Sequence, residues 1–145
     1  MTMLDRCNPR REGTFPEFVS QDKRNRDCKH IGKNSGSYVR QYLVDGAVFP
    51  EGTTPKRCDF LLLNNTKKTA YYIEFKGSNI VEAPKQIDCT VELLQASHSG
   101  YTVYRHIIYR TGRSHEVRDA RVVRWQAKHS KEAIVIASRQ YTDQL

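Results

Sequence analysis

One stretch constrains this chain more than any other, Arg57 to Gln86, RCDFLLLNNTKKTAYYIEFKGSNIVEAPKQ. It holds two apolar runs, CDFLLL and AYYIEFK, joined by the turn-rich residues Asn64 to Thr69. Strand side chains alternate between faces, so Glu74 and Lys76 share one face while Ile73 and Phe75 share the other. The short polar connection predicts an antiparallel hairpin that lays Asp59 across from the Glu74 side. Both runs are apolar on both faces, as central strands are, and this sets them apart from a solvated edge strand carrying a cross-face ion pair.

Carboxylates on a buried face are costly unless they are paired or bound to a cation. Two acids and a lysine converging there suit a hard ion such as Mg²⁺ or Mn²⁺, which takes one or two carboxylates together with substrate phosphate oxygens. Lys76 would orient or deprotonate the attacking water, or neutralise charge building on phosphorus. The chemistry implied is phosphodiester hydrolysis.

Asp59, followed fifteen residues later by Glu74-Phe75-Lys76 on a second strand and then by a helix, resembles the PD-(D/E)XK nuclease superfamily. The resemblance spans roughly residues 38 to 109, about half the chain, in the order strand, strand, strand, helix, strand. Cys58 stands where the name-giving proline would be. The resemblance implies an α/β fold, a restriction-endonuclease-like central mixed sheet flanked by helices. It also implies that Asp59 and Glu74 hold Mg²⁺ (or Mn²⁺) with help from the Phe75 carbonyl, and that Lys76 serves the water. Gln86, near the start of the following helix, would face the site and touch substrate phosphate or a water on the metal; an exposed helix glutamine is the competing assignment. Related nucleases often begin with a helix that adds one more acid, a place Glu12 or Glu17 would fill.

The chain has 145 residues, enough for one domain with a sizeable core. Its formal charge is +8, with 24 lysines and arginines against 16 acids. A basic surface concentrates polyanions, which corroborates a nucleic-acid partner without establishing one. Cys7, Cys28, Cys58 and Cys89 are widely separated and form no C-x-x-C pair. Cys28 and His30 lie close together, but a zinc site needs further ligands at matching spacing, and none follows. Cys58 is expected to face away from Asp59 and pack as a small hydrophobe. No signal peptide and no membrane-length apolar run is recognised, so the expected compartment is a reducing cytoplasm.

Residues 1 to 36 are expected to form a basic, partly flexible or helical segment, with a short helix beginning near Pro16. Within it Lys23, Arg24, Arg26, Lys29 and Lys33 form either a solvated arm or a phosphate-binding one. Residues 37 to 145 form the nuclease-like domain. Tyr38 to Val44 reads as a strand, and Asp45-Gly46 as a hairpin turn into Ala47, Val48 and Phe49. Past Lys76, a helix is expected from about Pro84 to Ala96, with Ile80, Ala83, Ile87, Val91 and Leu94 as its apolar stripe. Tyr101 to Tyr109 and Ala133 to Ser138 read as strands, and RQYTDQL as a frayed tail.

EVRDARVVRWQAKHS is expected to be a helix with Arg118, Arg121, Trp125 and Lys128 on one side and Val117, Ala120, Val123 and Ala127 on a neighbouring packing side. Together with Arg105, Arg110, Arg113, Arg124 and Lys131, these cations make the C-terminal third the expected contact surface for the nucleic-acid backbone. The function expected is a divalent-metal-dependent endonuclease, with DNA favoured over RNA; a two-fold homodimer would help it cut both strands of a duplex or a junction. The alternatives are an RNA-cleaving toxin-type nuclease and a catalytically inactive nucleic-acid-binding module of the same fold.

Overall fold

The β-hairpin expected between the two apolar runs forms as β5 (Phe60–Asn64) and β6 (Thr69–Lys76), paired antiparallel with Phe60 opposite Ile73. Local chemistry sets the turn. The Asn64 side chain accepts the Lys67 N–H at 2.9 Å, and Lys68 adopts a left-handed conformation with φ of 56°. In this computed structural model, which describes residues 1–111, 114–130 and 133–145, the hairpin is the middle of a six-stranded mixed sheet. The other strands of that sheet are β1 (Arg11–Gly13), β4 (Val39–Leu43), β7 (Thr102–Tyr109) and β8 (Ile134–Ser138). Their order is β1-β4-β5-β6-β7-β8, antiparallel as far as β6 and parallel from β6 to β8.

The protein is therefore an α/β fold built on a mixed sheet, and both faces of that sheet are covered. On one face Leu61, Leu63, Ala70, Tyr72 and Ile107 pack against helix α1 (Ala83–Leu94) and against Trp125 of helix α3 (Ala120–His129). Helix α1 contributes Ile87, Val91 and Leu94, each buried. Full burial of such side chains contributes about 1.5–3 kcal/mol apiece. No helix among the described residues is long and apolar enough to cross a membrane.

On the opposite face Phe60, Leu62, Tyr71, Ile73, Phe75 and Ile108 meet a second sheet. That sheet consists of β2 (Glu17–Gln21), β3 (Lys29–Lys33) and β9 (Gln140–Gln144), with β2 antiparallel and β9 parallel to β3. The helix expected near Pro16 is thus replaced by strand. Phe18 and Ser20 are buried while Val19 and Gln21 are exposed, a period of two that Pro16 alone does not reveal. The expected frayed tail is β9, paired along its whole length with β3. Cys28 is fully buried in this layer, and burial pushes its thiol up to about 11.

Three further expectations change. Gly46, at φ of 119°, turns the chain as predicted, but Ala47 to Phe49 form no strand; a tight loop returns Phe49 to the core. The expected C-terminal helix is broken at Arg118–Asp119 into α2 (Ser114–Val117) and α3, because the Asp119 side chain accepts the Arg121 N–H and caps a new start. That break rotates the packing face onto Val122 and Trp125, leaving Val123 exposed. Finally, Cys58 packs as a small hydrophobe, but on the helix-covered side with Leu61 and Leu63, since it precedes β5 and escapes strand alternation.

Phe18 tests whether residues 1 to 36 are part of the fold. Its side chain is 0% exposed in the core between the sheets. Phe18→Ala is expected to lower stability by about 3–5 kcal/mol in urea unfolding, the loss usual for a buried aromatic. A loosely attached segment would give a change within about 0.5 kcal/mol.

Candidate functional site

The site forms where β6 outruns its antiparallel neighbour. The β5–β6 ladder ends at Phe60 and Ile73, so Phe75 has no strand residue facing it on that side, and the Asp59 carboxylate accepts its N–H at 2.8 Å. Glu74 and Lys76 project from the same strand onto one face, with Lys76 Nζ 3.4 Å from Glu74 Oε2. Asp59, Glu74, Phe75, Lys76 and Gln86 all line one cleft of about 560 Å³. The sequence-predicted trio is therefore brought together.

A hydrogen-bonded bracket fixes the distance between helix and strand. The Thr90 hydroxyl donates to the Gln86 carbonyl at 2.7 Å and accepts the Cys58 N–H at 2.9 Å. The Gln86 side-chain amide donates to the Arg57 carbonyl at 3.3 Å. Residues 57 and 58 are thereby tied to the first turns of α1, and Asp59 follows directly. Gln86 is buried rather than an exposed helix residue, and its Oε1 has no hydrogen-bond partner among the described residues.

The electrostatics are those of two carboxyls forced together. Burial pushes Asp59 up from 3.8 to about 6, against the hydrogen bonds from Glu74 and from the Phe75 N–H. Burial, reinforced by the Asp59 charge, pushes Glu74 well above the usual carboxyl range, while Lys76 opposes the shift. Glu74 Oε1 is buried with no hydrogen-bond partner among the described residues. A divalent cation fits this donor set: it would ligate the unpartnered oxygen and offset the repulsion that raises both groups.

The remaining expectations fare differently. Neither Glu12 nor Glu17 lines the cleft; Glu12 binds Tyr38 Oη and Arg40, and Glu17 pairs with Lys33. Instead Asp22 and Asp45 line it, and both charges act on Asp59. Sequence alone explained Asp45 by its turn, and placing Asp22 requires knowing that β2 and β3 stack on the main sheet. Arg10, Lys23, Arg24 and Lys56 also line the cleft. Of these only Lys23 and Arg24 stood out in the sequence, as part of a local charge run.

The expected C-terminal contact surface is displaced from this cleft. Arg105 is largely buried against Asp88 at 3.1 Å, a structural pair. Trp125, placed on the basic side by sequence, is buried and donates its Nε1–H to Asp88. Arg110 pairs with Asp27 and Arg121 with Asp119, while Arg118, Arg124 and Lys128 are exposed. None of these six cations lines the cleft. Arg113 and Lys131 lie outside the described residues.

The pH response of Asp59 follows from its shift. The folded state holds this proton more tightly than the unfolded chain does. Asp59 therefore favours the fold most below about pH 4 and progressively less as pH rises through about 6. In EDTA, Asp59→Asn is expected to match the parent near pH 4 and to exceed it by on the order of 2 kcal/mol at pH 7.5 in urea unfolding. Adding Mg²⁺ is expected to stabilise the parent and not the variant.

The chain matches no protein-family model, no curated protein and no solved structure.

Proposed function

We propose that this chain is a divalent-metal-dependent phosphodiesterase with a restriction-endonuclease-like fold, acting as an endonuclease on DNA. The observation that carries the proposal is the convergence of Asp59, Glu74 and Lys76 in one cleft, with a buried Glu74 oxygen left without a partner. Buried acids with strongly raised protonation in a cleft are of the kind found at functional sites.

Asp59 and Glu74 would hold Mg²⁺ or Mn²⁺ with help from the Phe75 carbonyl. When bound, the ion would polarise the phosphoryl oxygen and favour ionisation of water. The chain's own residues supply the rest. Lys76, held by Glu74, orients the attacking water and neutralises charge as it develops on phosphorus. The Gln86 carboxamide, fixed through Arg57, offers a hydrogen-bonding group to water or phosphate. Asp59 and Glu74 must both be ionised to hold the ion, and burial raises both, so activity is expected to rise as the pH leaves the acidic range. One such site cuts one strand, and cleavage of both strands of a duplex would call for a two-fold dimer. Cytoplasmic DNA is the proposed setting.

The test is incubation with labelled duplex, single-stranded and branched DNA and with RNA, in Mg²⁺, Mn²⁺ or EDTA. Cleavage of DNA is expected to need the ion and to fall at least about 100-fold in Glu74→Ala and in Lys76→Ala. Glu74→Gln keeps the size and hydrogen-bonding capacity of the buried side chain and is expected to leave the fold intact, so its inactivity would not reflect unfolding. Cleavage of RNA alone would favour a toxin-type nuclease. Equal binding by parent and variants with no cleavage of any substrate would sink the enzymatic assignment.

A further inference from the structure

We propose that His30, His106 and Asp143 form a second metal site, one that takes zinc and clips the three-stranded sheet to the six-stranded one. His30 lies on β3, His106 on β7 and Asp143 on β9. His30 and His106 sit 113 and 37 residues from Asp143 in the chain, yet their donor atoms all fall within 4.8 Å of one another. Both imidazole Nε2 atoms lie 2.6 Å from the same carboxylate oxygen, Asp143 Oδ2. The histidine side chains are 0% and 1% exposed and that of Asp143 is 18% exposed, so an ion has a way in past the carboxylate.

Charge balance points to a cation. Among the described residues the ion-pair partners of Asp143 are these two imidazoles, with no lysine or arginine beside it. A largely buried carboxylate that faces two imidazole nitrogens, with no lysine or arginine beside it, is a place where a bound cation would be stabilised. Two borderline imidazoles with one carboxylate form a nitrogen-rich donor set that suits zinc, with water completing the coordination at the exposed edge of Asp143. The hard, oxygen-only preference of Mg²⁺ separates this site from the Asp59 and Glu74 cleft.

Ligation through Nε2 places each ring proton on Nδ1. Neither Nδ1 has a hydrogen-bond partner among the described residues. Metal-bound histidines usually have one, and its loss lowers affinity about 10–100-fold. Zinc is therefore expected to bind reversibly and to be stripped by EDTA.

The sequence hint was Cys28 beside His30, set aside for want of further ligands nearby. The ligands exist, but they arrive by folding.

The test uses the full chain carrying Glu74→Gln, which disables the other cation site. After EDTA treatment and dialysis, zinc is titrated while the metal content, the thermal unfolding midpoint and the histidine ring NMR signals are followed. The expected result is one zinc per chain, a raised midpoint, and movement of the His30 and His106 ring signals saturating at one equivalent, with Mg²⁺ producing none of these. Adding Asp143→Asn or His106→Gln is expected to weaken zinc binding at least about 10-fold. If the Glu74→Gln chain takes up no zinc, or zinc binds without moving these two ring signals, the proposal is overturned. The ring signals decide the matter even where a ligand variant fails to fold. The outcome is independent of whether the chain cuts nucleic acid.

Discussion

Two carboxyls pressed together inside a folded chain oppose folding, and the local architecture at the end of β6 holds Asp59 and Glu74 in that state. Burial raises both groups, and neither can lose its proton without adding charge beside the other. Lys76 offsets part of this from 3.4 Å away, and the Phe75 N–H offsets part of it for Asp59. What remains is a standing demand for positive charge at one point of the cleft. In the proposed enzyme that demand would be the source of metal affinity.

The scaffold meets the demand with rigidity. Strand β6 is paired on both sides along most of its length, antiparallel to β5 and parallel to β7, and it is covered on both faces. Glu74 and Lys76 thus emerge from a strand braced by both neighbours and covered on both faces. Thr90 and Gln86 bind residues 57 and 58 to α1, so Asp59 is held from the helix side as well. Preorganised groups of this kind need little reorganisation when charge develops beside them.

The hairpin, the α1 stripe and the Asp59, Glu74 and Lys76 constellation were legible because each depends on neighbours in sequence or on simple periodicity. Glu74 and Lys76 are two apart on a strand, and their shared face needs no tertiary knowledge. The N-terminal strands were not legible, because Val19 is apolar yet exposed and blurs the alternation that buries Phe18 and Ser20. The tail was misjudged for a related reason: β9 is polar and gains its strand character only from pairing with β3. The basic surface was only partly legible, for a different reason. Charge counting finds arginines but not their partners, and Asp88 claims Arg105 from a helix seventeen residues away.

The pairing of β9 with β3 also fixes the order in which the molecule can be completed. While the polypeptide is being synthesised, the β2–β3 hairpin emerges early, but one edge of β3 stays open until residues 140 to 144 have been made. During that interval the apolar face around Phe60, Leu62 and Ile73 has an incomplete cover. Contacts of such long sequence separation form slowly, and open strand edges invite wrong partners. The cleft wall that carries Asp22 and Lys23 belongs to this late-closing layer. A nascent chain would therefore carry Asp59 and Glu74 well before the cleft around them was complete.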